Sequence, residues 1–301
     1  MMTKISDEIF FRRTSDERDE IPVEVTSPYV LREGLKIVTE RSEPGLPVDA
    51  EAFRRSDRAG NASRVMDALY KYPYLDRISL EACLSGPSKA PAMDPGKVWD
   101  ALKTLRGYGI VTVLKYGDFC FYRLSSFARR QMEANKKYRT AVPEDGASDA
   151  EVLALAGLCR WHAHAVSKNS VGLNVVRQNV TLAGTEYLAD SYMEFVRNFR
   201  YRLFAYPVPR DGDFEALRER VLESWRLQKA SIRKGQASLT VLVAPSLSAA
   251  VACRKIFEEL SETSGKSIYY ALDSKRGEVA RGLRGIYRFE EDGILRSIGI
   301  E

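Results

Sequence analysis

The chain has 301 residues, of which 45% are hydrophobic and 29% are charged, and this is the composition of an ordinary soluble globular protein. Its length leaves room for two domains, because single hydrophobic cores rarely grow far beyond about 200 residues. No apolar run approaches the roughly 20 residues that cross a bilayer, and the charged start of the chain lacks the apolar stretch of a signal peptide. We therefore expect a cytoplasmic protein that has no membrane partner.

Charge is distributed unevenly along the chain, although its net value is only +5. Residues 1–59 carry 10 Lys and Arg against 13 Asp and Glu, whereas residues 60–140 carry 14 against 7. The remainder of the chain is nearly balanced, at 22 against 21. A local basic excess is the electrostatic pattern of a segment that contacts nucleic acid, so we look for a DNA-binding domain in residues 60–140.

The first segment, residues 1–59, is charged and contains four prolines, at positions 22, 28, 44 and 47. It shows hydrophobic periodicity only briefly, near the sequence "YVLREGLKIV". Segments of this composition bury too little apolar surface to form a domain of their own. The sequence therefore predicts a charged N-terminal arm over residues 1–59.

Residues 60–140 begin with the pattern of two short helices. Val65, Leu69 and Tyr70 share a face of the first helix, which the Tyr72–Pro73 step should end. The sequence "ISLEACLS" predicts the second helix, with Ser79 as its N-terminal cap. The following sequence, "GPSKAPAM", has the Gly and Pro content of a loop.

A third helix and a hairpin complete this segment. Asp94 is placed to cap the helix and Pro95 to occupy its first position, while Val98, Leu102 and Leu105 have the spacing of a buried face. The sequences "IVTVLKY" and "FCFYRL" flank a Gly-Asp turn, which is typical of a β-hairpin. Three helices followed by a hairpin indicate a winged helix-turn-helix domain over residues 60–140.

In a helix-turn-helix domain the last of the three helices lies in the major groove of DNA. The third helix presents cationic and polar side chains opposite its apolar face, and the hairpin places further cations and a tyrosine beside its turn. We therefore predict DNA contacts from Lys97, Trp99, Lys103, Thr104, Arg106, Lys115, Tyr116 and Arg123. The alternative is that these side chains only solvate a helix, or that the winged helix contacts protein; Asp100 on the same face is a mild signal against DNA, although it could accept from cytosine.

The rest of the chain has a different pattern. A predicted helix, "SSFARRQMEANKKY", leads to a predicted linker at "AVPEDGAS", after which "AEVLALAGLCRWHAHAVSK" predicts a helix. The sequences "VGLNVVRQN", "RYRLFAYPV", "LTVLVAP", "KSIYYAL" and "GIYRFE" predict strands. One predicted helix precedes "LTVLVAP" and another follows it. The first of these helices has an apolar stripe formed by Phe214, Leu217, Val221 and Trp225. Apolar strands on both sides of a helix favour a parallel pair, so we expect a small α/β domain with a mixed, partly parallel sheet over residues 150–301.

Candidate catalytic groups are few. His162 and His164 would point about 200° apart on a helix, which favours a structural or surface role over a metal site. Asp190 and Glu194 could begin the acidic site of a metal-dependent nuclease, but the next strand has no charge between Arg202 and Arg210. No phosphate-binding loop, dinucleotide-binding glycine motif or nucleophile elbow is present. We assign no catalytic residue, metal ligand or cofactor.

The four cysteines are Cys83, Cys120, Cys159 and Cys253. They are widely spaced, form no CxxC pair and lie in apolar segments. This pattern favours buried free thiols over disulfides or a zinc site.

The arrangement resembles the replication-relaxation family of plasmids and other mobile elements. The resemblance covers about residues 60–275 and depends on "VWDALKTLRGYGIVTV", "CFYRLSSFARR", "WHAHAV", "YLADSYMEFVRNFRYRLFAYPV" and "LTVLVAPSLSAAVACRKIFEEL". It implies a winged helix before an α/β domain that looks like a nuclease core with an eroded active site. It also implies DNA binding in the replication, transfer or regulation of a mobile element. The strand "RLFAYPV" lacks the acidic residue that family members carry there, which argues against nuclease activity.

The sequence thus favours a non-enzymatic protein that binds double-stranded DNA. Its winged helix would dock on the duplex, and its α/β domain would contact a second copy or another protein. One alternative is a transcriptional regulator whose α/β domain senses a ligand or partner. Another is a metal-dependent DNA nuclease that uses Asp190 and Glu194.

Overall fold

The computed structural model describes residues 27, 29–40, 48–58, 60–85, 92–134, 146–168, 173–182, 184–196, 200–231, 236–264, 267–273, 283, 285–289 and 295–297. Within these ranges the chain is a mixed α/β protein with eight helices. One sheet is antiparallel and four-stranded, and a larger sheet is mixed. We refer to residues 27–134 as the small-sheet half and to residues 146–297 as the large-sheet half.

The small-sheet half contains a sheet whose strands lie in the order β1-β3-β4-β2. Its elements are β1 (Val38–Glu40), α1 (Ala50–Ser56), α2 (Asn61–Lys71), β2 (Leu75–Asp76), α3 (Arg77–Ser85), α4 (Pro95–Gly107), β3 (Val111–Tyr116), β4 (Phe119–Leu124) and α5 (Ser126–Ala134). Three helices and a hairpin follow one another here, as the sequence predicts. No sequence pattern predicts β2, which is two residues long and pairs with β4.

The helices begin and end close to the predicted positions. The predicted core residues of α2 and α4 are all buried. Asp94 caps α4, where its carboxylate accepts from the Gly96 amide, and Pro95 is the first helical residue. The prediction that Ser79 caps α3 is wrong, because Ser79 is buried inside that helix. Asp76 takes this role instead, accepting from the Ser79 amide at 2.7 Å, since it directly precedes the first helical residue.

The predicted hairpin is present, with Tyr116 facing Phe119 across a two-residue turn. Gly117 in this turn has a φ of 56°, which is the left-handed region that favours glycine. One face of the sheet packs on α2 and α4. On the other face, the Phe121 ring lies 5.9 Å from the Tyr29 ring. The hairpin is therefore covered on both faces.

Part of the predicted N-terminal arm belongs to this half. β1 pairs with β3 in an antiparallel ladder, with Val38 opposite Lys115 and Glu40 opposite Val113. Tyr29 is fully buried, and α1 contacts α5. Where the structure describes residues 27–58, they lie in or against the fold; residues 1–26 and 41–47 are outside the described ranges.

The large-sheet half contains strands in the order β11-β10-β9-β8-β7-β6-β5. Its elements are α6 (Asp149–Lys168), β5 (Asn174–Leu182), β6 (Thr185–Val196), β7 (Arg200–Pro207), α7 (Phe214–Ser231), β8 (Gln236–Ala244), α8 (Leu247–Ser264), β9 (Ile268–Leu272), β10 (Ile286–Phe289) and β11 (Leu295–Ser297). The predicted parallel pair is confirmed, since β8 is parallel to β9 and also to β7. The remaining pairs are antiparallel.

Helix α6, the first element of the large-sheet half, packs against the small-sheet half. It contacts α3 and β2 on one side and β7 and β8 on the other. Residues 152–165 of this helix are all buried, which explains why its apolar residues show no single stripe. The predicted linker lies mostly outside the described residues, which resume at 146. No helix in the described ranges is long and apolar enough to span a membrane.

Candidate nucleic-acid interface

The outer side of α4 is a polar and cationic surface. Lys97, Lys103, Thr104 and Arg106 are exposed there, and Trp99 is half-buried. We call this surface the α4 face and define it by Lys97, Trp99, Asp100, Lys103, Thr104 and Arg106. The Thr104 hydroxyl donates to the Asp100 carbonyl at 2.8 Å, so that hydroxyl is bound within the helix. The cations are therefore the groups of this face best placed to meet an anionic partner.

The Trp99 ring of the α4 face contacts two cations. The Lys103 ammonium lies 5.2 Å from the ring centroid, and the guanidinium carbon of Arg77 lies 5.1 Å from it. Arg77 also pairs with Glu81 at 2.6 Å. Sequence reasoning missed Arg77, because it starts α3 and reaches Trp99 only through the packing of α3 beside α4. It adds a cation to the predicted set.

Arg106 and Lys115 converge on one carboxylate. The Arg106 Nη2 atom lies 2.8 Å from Glu40 Oε2, and the Lys115 ammonium pairs with Glu40 Oε1. Arg106 comes from the last turn of α4, Lys115 from β3 and Glu40 from β1. The hydrogen bond from Lys115, together with the charges of Lys115 and Arg106, lowers the pKa of Glu40. Glu40 also raises the pKa of Lys115, so this carboxylate and this ammonium are both charged near neutral pH.

Two predicted DNA contacts lie elsewhere. Tyr116 is buried, and its hydroxyl accepts from the Arg32 amide and donates to the Val30 carbonyl, so this side chain is not exposed as a DNA contact requires. Arg123 is half-buried on the sheet face away from α4, and its Nη1 atom lies 3.4 Å from the Tyr74 hydroxyl. The reason is strand alternation, which sends neighbouring side chains to opposite faces. Of the predicted hairpin residues, Lys115 alone is on the same side as α4.

A buried charge cluster joins the two halves. Arg210 Nη2 lies 2.9 Å from Asp273 Oδ2, and both side chains are almost completely inaccessible to solvent. The Ser27 hydroxyl donates to the same Asp273 oxygen at 2.7 Å. Burial raises the pKa of Asp273 to about 6, although Arg210 and Arg160 oppose the rise. Asp273 directly follows β9 and Arg210 follows β7, so the cluster forms at the carboxyl ends of the parallel strands.

The cluster extends into the small-sheet half through Asp76. The Tyr29 hydroxyl donates to Asp76 Oδ2 at 2.6 Å, and Arg160 Nη1 of α6 lies 3.7 Å from the same oxygen. Gly157, one turn before Arg160, lets Asp273 and Arg210 approach α6 closely. A Cβ atom on Gly157 would lie 2.1 Å from Asp273 Oδ2 and 2.3 Å from Arg210 Nη2. The glycine is therefore a packing requirement of the cluster.

Asp190 and Glu194 do not form a common site. Asp190 is buried and holds Arg177 at 2.7 Å through one oxygen and Arg220 at 2.5 Å through the other. Glu194 pairs instead with Arg202 at 3.3 Å. Each carboxylate is thus already paired with arginine. Within the described ranges, no three His, Cys, Asp or Glu side chains are grouped so as to hold a metal ion.

A cavity of about 320 Å³ lies beside Asp190, between the first turns of α6 and α7 and the carboxyl end of β7. Arg177 and Arg220 line it together with Glu151, Asp211 and other residues. Arg177 has a φ of 53°, a conformation that costs a non-glycine residue of the order of 1–3 kcal/mol. Because both charge signs line the cavity, its chemistry does not select a single class of ligand.

His162 has a structural environment. It is fully buried in α6, and its Nδ1 atom lies 2.7 Å from the Ser191 hydroxyl of β6. Burial lowers the pKa of His162 to about 3, so the imidazole is neutral at physiological pH. His164 is also buried, two residues further along the same helix. All four cysteines are free; Cys159 and Cys253 are buried, and Cys83 and Cys120 are half-buried.

Comparison of the chain with protein-family models, with curated proteins and with solved structures finds no match. The observations that bear on function are those of the chain itself. They are the exposed cations of the α4 face, the junction of Arg106 and Lys115 at Glu40, and the arginine-bound carboxylates of β6.

Proposed function

We propose that the small-sheet half is a winged helix that binds double-stranded DNA through the α4 face. The order of α2, β2, α3, α4, β3 and β4 supports this, because a winged helix inserts a short strand after its first helix and pairs it with the last strand of the hairpin. β2 pairs with β4 in this way. The resemblance to the replication-relaxation family leads us to propose that the target is DNA of a mobile element, in its replication, transfer or regulation.

The observation that carries the proposal is the exposure of Lys97, Lys103 and Arg106 around the half of α4 that does not pack on the fold. A helix of this width fits the major groove, and side chains at its surface would reach phosphates and base edges. Arg77 and Trp99 extend the cationic surface toward α3. The excess of cations over carboxylates on this surface favours an anionic partner, in spite of Asp100.

We propose that the large-sheet half has no nuclease activity and instead contacts a second copy of the chain or another protein. The support is that arginines already neutralise the carboxylates of Asp190 and Glu194. A hydrolytic site needs such carboxylates for metal ions. Incubation of the protein with plasmid DNA and Mg²⁺ or Mn²⁺ should leave the plasmid uncut, and cleavage that is lost in Asp190→Ala would overturn this assignment.

The double variant Lys97→Ala, Lys103→Ala should bind duplex DNA much more weakly than the native protein. Each lost phosphate contact lowers the slope of log affinity against log salt by about 1, and at about 0.1 M salt this corresponds to roughly a tenfold loss per cation. Fluorescence anisotropy with a labelled mixed-sequence duplex of about 30 base pairs measures both quantities across a salt series.

The matched control removes two cations from the large-sheet half. Arg226 on α7 and Lys255 on α8 are exposed like Lys97 and Lys103, so Arg226→Ala, Lys255→Ala changes net charge equally. The control should bind as the native protein does. Equal losses in the two double variants would mean that α4 is not the DNA-contacting element, and unchanged binding in the α4 variant would reject the proposal.

A further inference from the structure

The junction of Arg106 and Lys115 has the geometry of an anion site. The two cations come from elements that are not adjacent in sequence, and they meet at the two oxygens of Glu40. Both cationic side chains are about half exposed, at 47% each, and the carboxylate is 25% exposed. A guanidinium and an ammonium held on either side of two oxygens bind a phosphodiester by the same chemistry that binds a carboxylate.

We infer that Arg106, Lys115 and Glu40 form a subsite for a DNA backbone phosphate, in which Glu40 is an internal competitor. This inference rests on the proposed function. In the free protein the Glu40 carboxylate occupies the position of the phosphate oxygens. On binding, a phosphate takes over the two cations, and the Glu40 side chain turns away. Glu40 thereby lowers affinity for every duplex, and a bound phosphate must outcompete it.

The position of Glu40 lets its side chain turn away from the two cations at little cost in free energy. It is the last described residue of β1, a strand of three residues at the edge of the small sheet. Its neighbour Val38 on the same face is 59% exposed, so little apolar packing holds the strand there. An ion pair between partly exposed groups contributes little to stability, whereas a phosphate backbone attracts two cations strongly.

The test is Glu40→Gln, which keeps the shape of the side chain and removes its charge. The variant should bind the labelled duplex several-fold more tightly at each salt concentration, with a salt slope near the native one, because the same phosphate is neutralised in both complexes.

Two comparisons separate the subsite from a general change of charge. Glu33 is exposed in the same N-terminal segment, so Glu33→Gln changes net charge equally without touching Arg106 or Lys115. It should leave affinity and slope near the native values. In an Arg106→Ala, Lys115→Ala background, Glu40→Gln should lose its effect, because the phosphate that it admits has no cations to bind.

The outcomes are distinct from those of the proposed function. If the native protein binds duplex DNA through Lys97 and Lys103 but Glu40→Gln equals Glu33→Gln, the subsite is rejected and the proposed function stands. If Glu40→Gln still tightens binding without Arg106 and Lys115, the competition is also rejected. If the protein binds no duplex DNA at any salt concentration, the proposed function itself is rejected.

Discussion

Replacing Gly157 by alanine should destabilise the protein by at least about 2 kcal/mol. The new Cβ atom would lie 2.1 Å from Asp273 Oδ2 and 2.3 Å from Arg210 Nη2, well inside contact distance. Because Asp273 and Arg210 are buried and paired, they cannot move aside without weakening their ion pair or opening α6 from the sheet. The higher helix propensity of alanine, about 1 kcal/mol, offsets only part of this cost. Urea unfolding followed by circular dichroism measures the difference.

Gly107 provides the control for this prediction. It also lies in a helix, as the last residue of α4, but a Cβ atom there would meet nothing within 4 Å. Gly107→Ala should therefore be neutral or stabilise the protein by up to about 1 kcal/mol. The same unfolding free energy for both variants would show that the cluster tolerates a displacement of its ion pair, and would contradict the packing role of Gly157.

His162 should make the protein less stable as the pH falls below 6.5. In the unfolded chain the imidazole takes up a proton near its usual pKa of 6.5, whereas burial lowers the pKa of the folded group to about 3. Between these values protons bind preferentially to the unfolded chain, which draws the equilibrium toward unfolding by up to about 1.4 kcal/mol per pH unit. The stability from neutral His162 is complete above pH 6.5 and is lost as the pH falls toward 3.

The variant His162→Asn tests this effect, because its short amide can still hydrogen-bond Ser191 but does not titrate. It should be less stable than the native protein at pH 7, and the gap should narrow by about 2–3 kcal/mol between pH 6.5 and 4.5. Unfolding by urea at a series of pH values measures the gap. A gap that is constant with pH would contradict the assignment of a neutral, buried His162.

Asp273 acts in the opposite direction over part of the same range. Its folded pKa of about 6 lies above the usual 3.8, so protons bind preferentially to the folded protein between these values. Stability from this group is complete below pH 3.8 and is lost as the pH rises through 6. The native protein should therefore show a shallower overall pH dependence than His162 alone would give, and the comparison between native and variant isolates the histidine.

Local signals were enough to predict the elements of the small-sheet half. The Asp94 cap, Pro95 and the spacing of Val98, Leu102 and Leu105 specify α4 within about a dozen residues. The Gly-Asp turn specifies the hairpin in the same way. Each of these features depends on neighbours in sequence, so periodicity and turn chemistry describe it fully.

The errors concern contacts between distant residues. Lys115 and Tyr116 are adjacent, and only the packing of the sheet decides which of them faces α4. Arg77 of α3 contacts Trp99, and Glu40 of β1 pairs with Arg106 and Lys115. Both residues are distant in sequence from α4, so sequence patterns do not predict these contacts. β6 was not predicted as a strand, and its carboxylates looked available in the sequence, although arginines on β5, β7 and α7 neutralise them. Non-local pairing therefore changes the candidate site more than it changes the fold.

The contacts of α6 with both sheets determine the smallest fragment of this protein that can fold. One continuous hydrophobic cluster runs from Tyr29 and α2, through α6, to Val241 and Ile286. A fragment that stops after α5 would expose the surfaces of α3 and β2 that contact α6 and would leave Asp76 without Arg160. The two halves should therefore unfold together in a single transition.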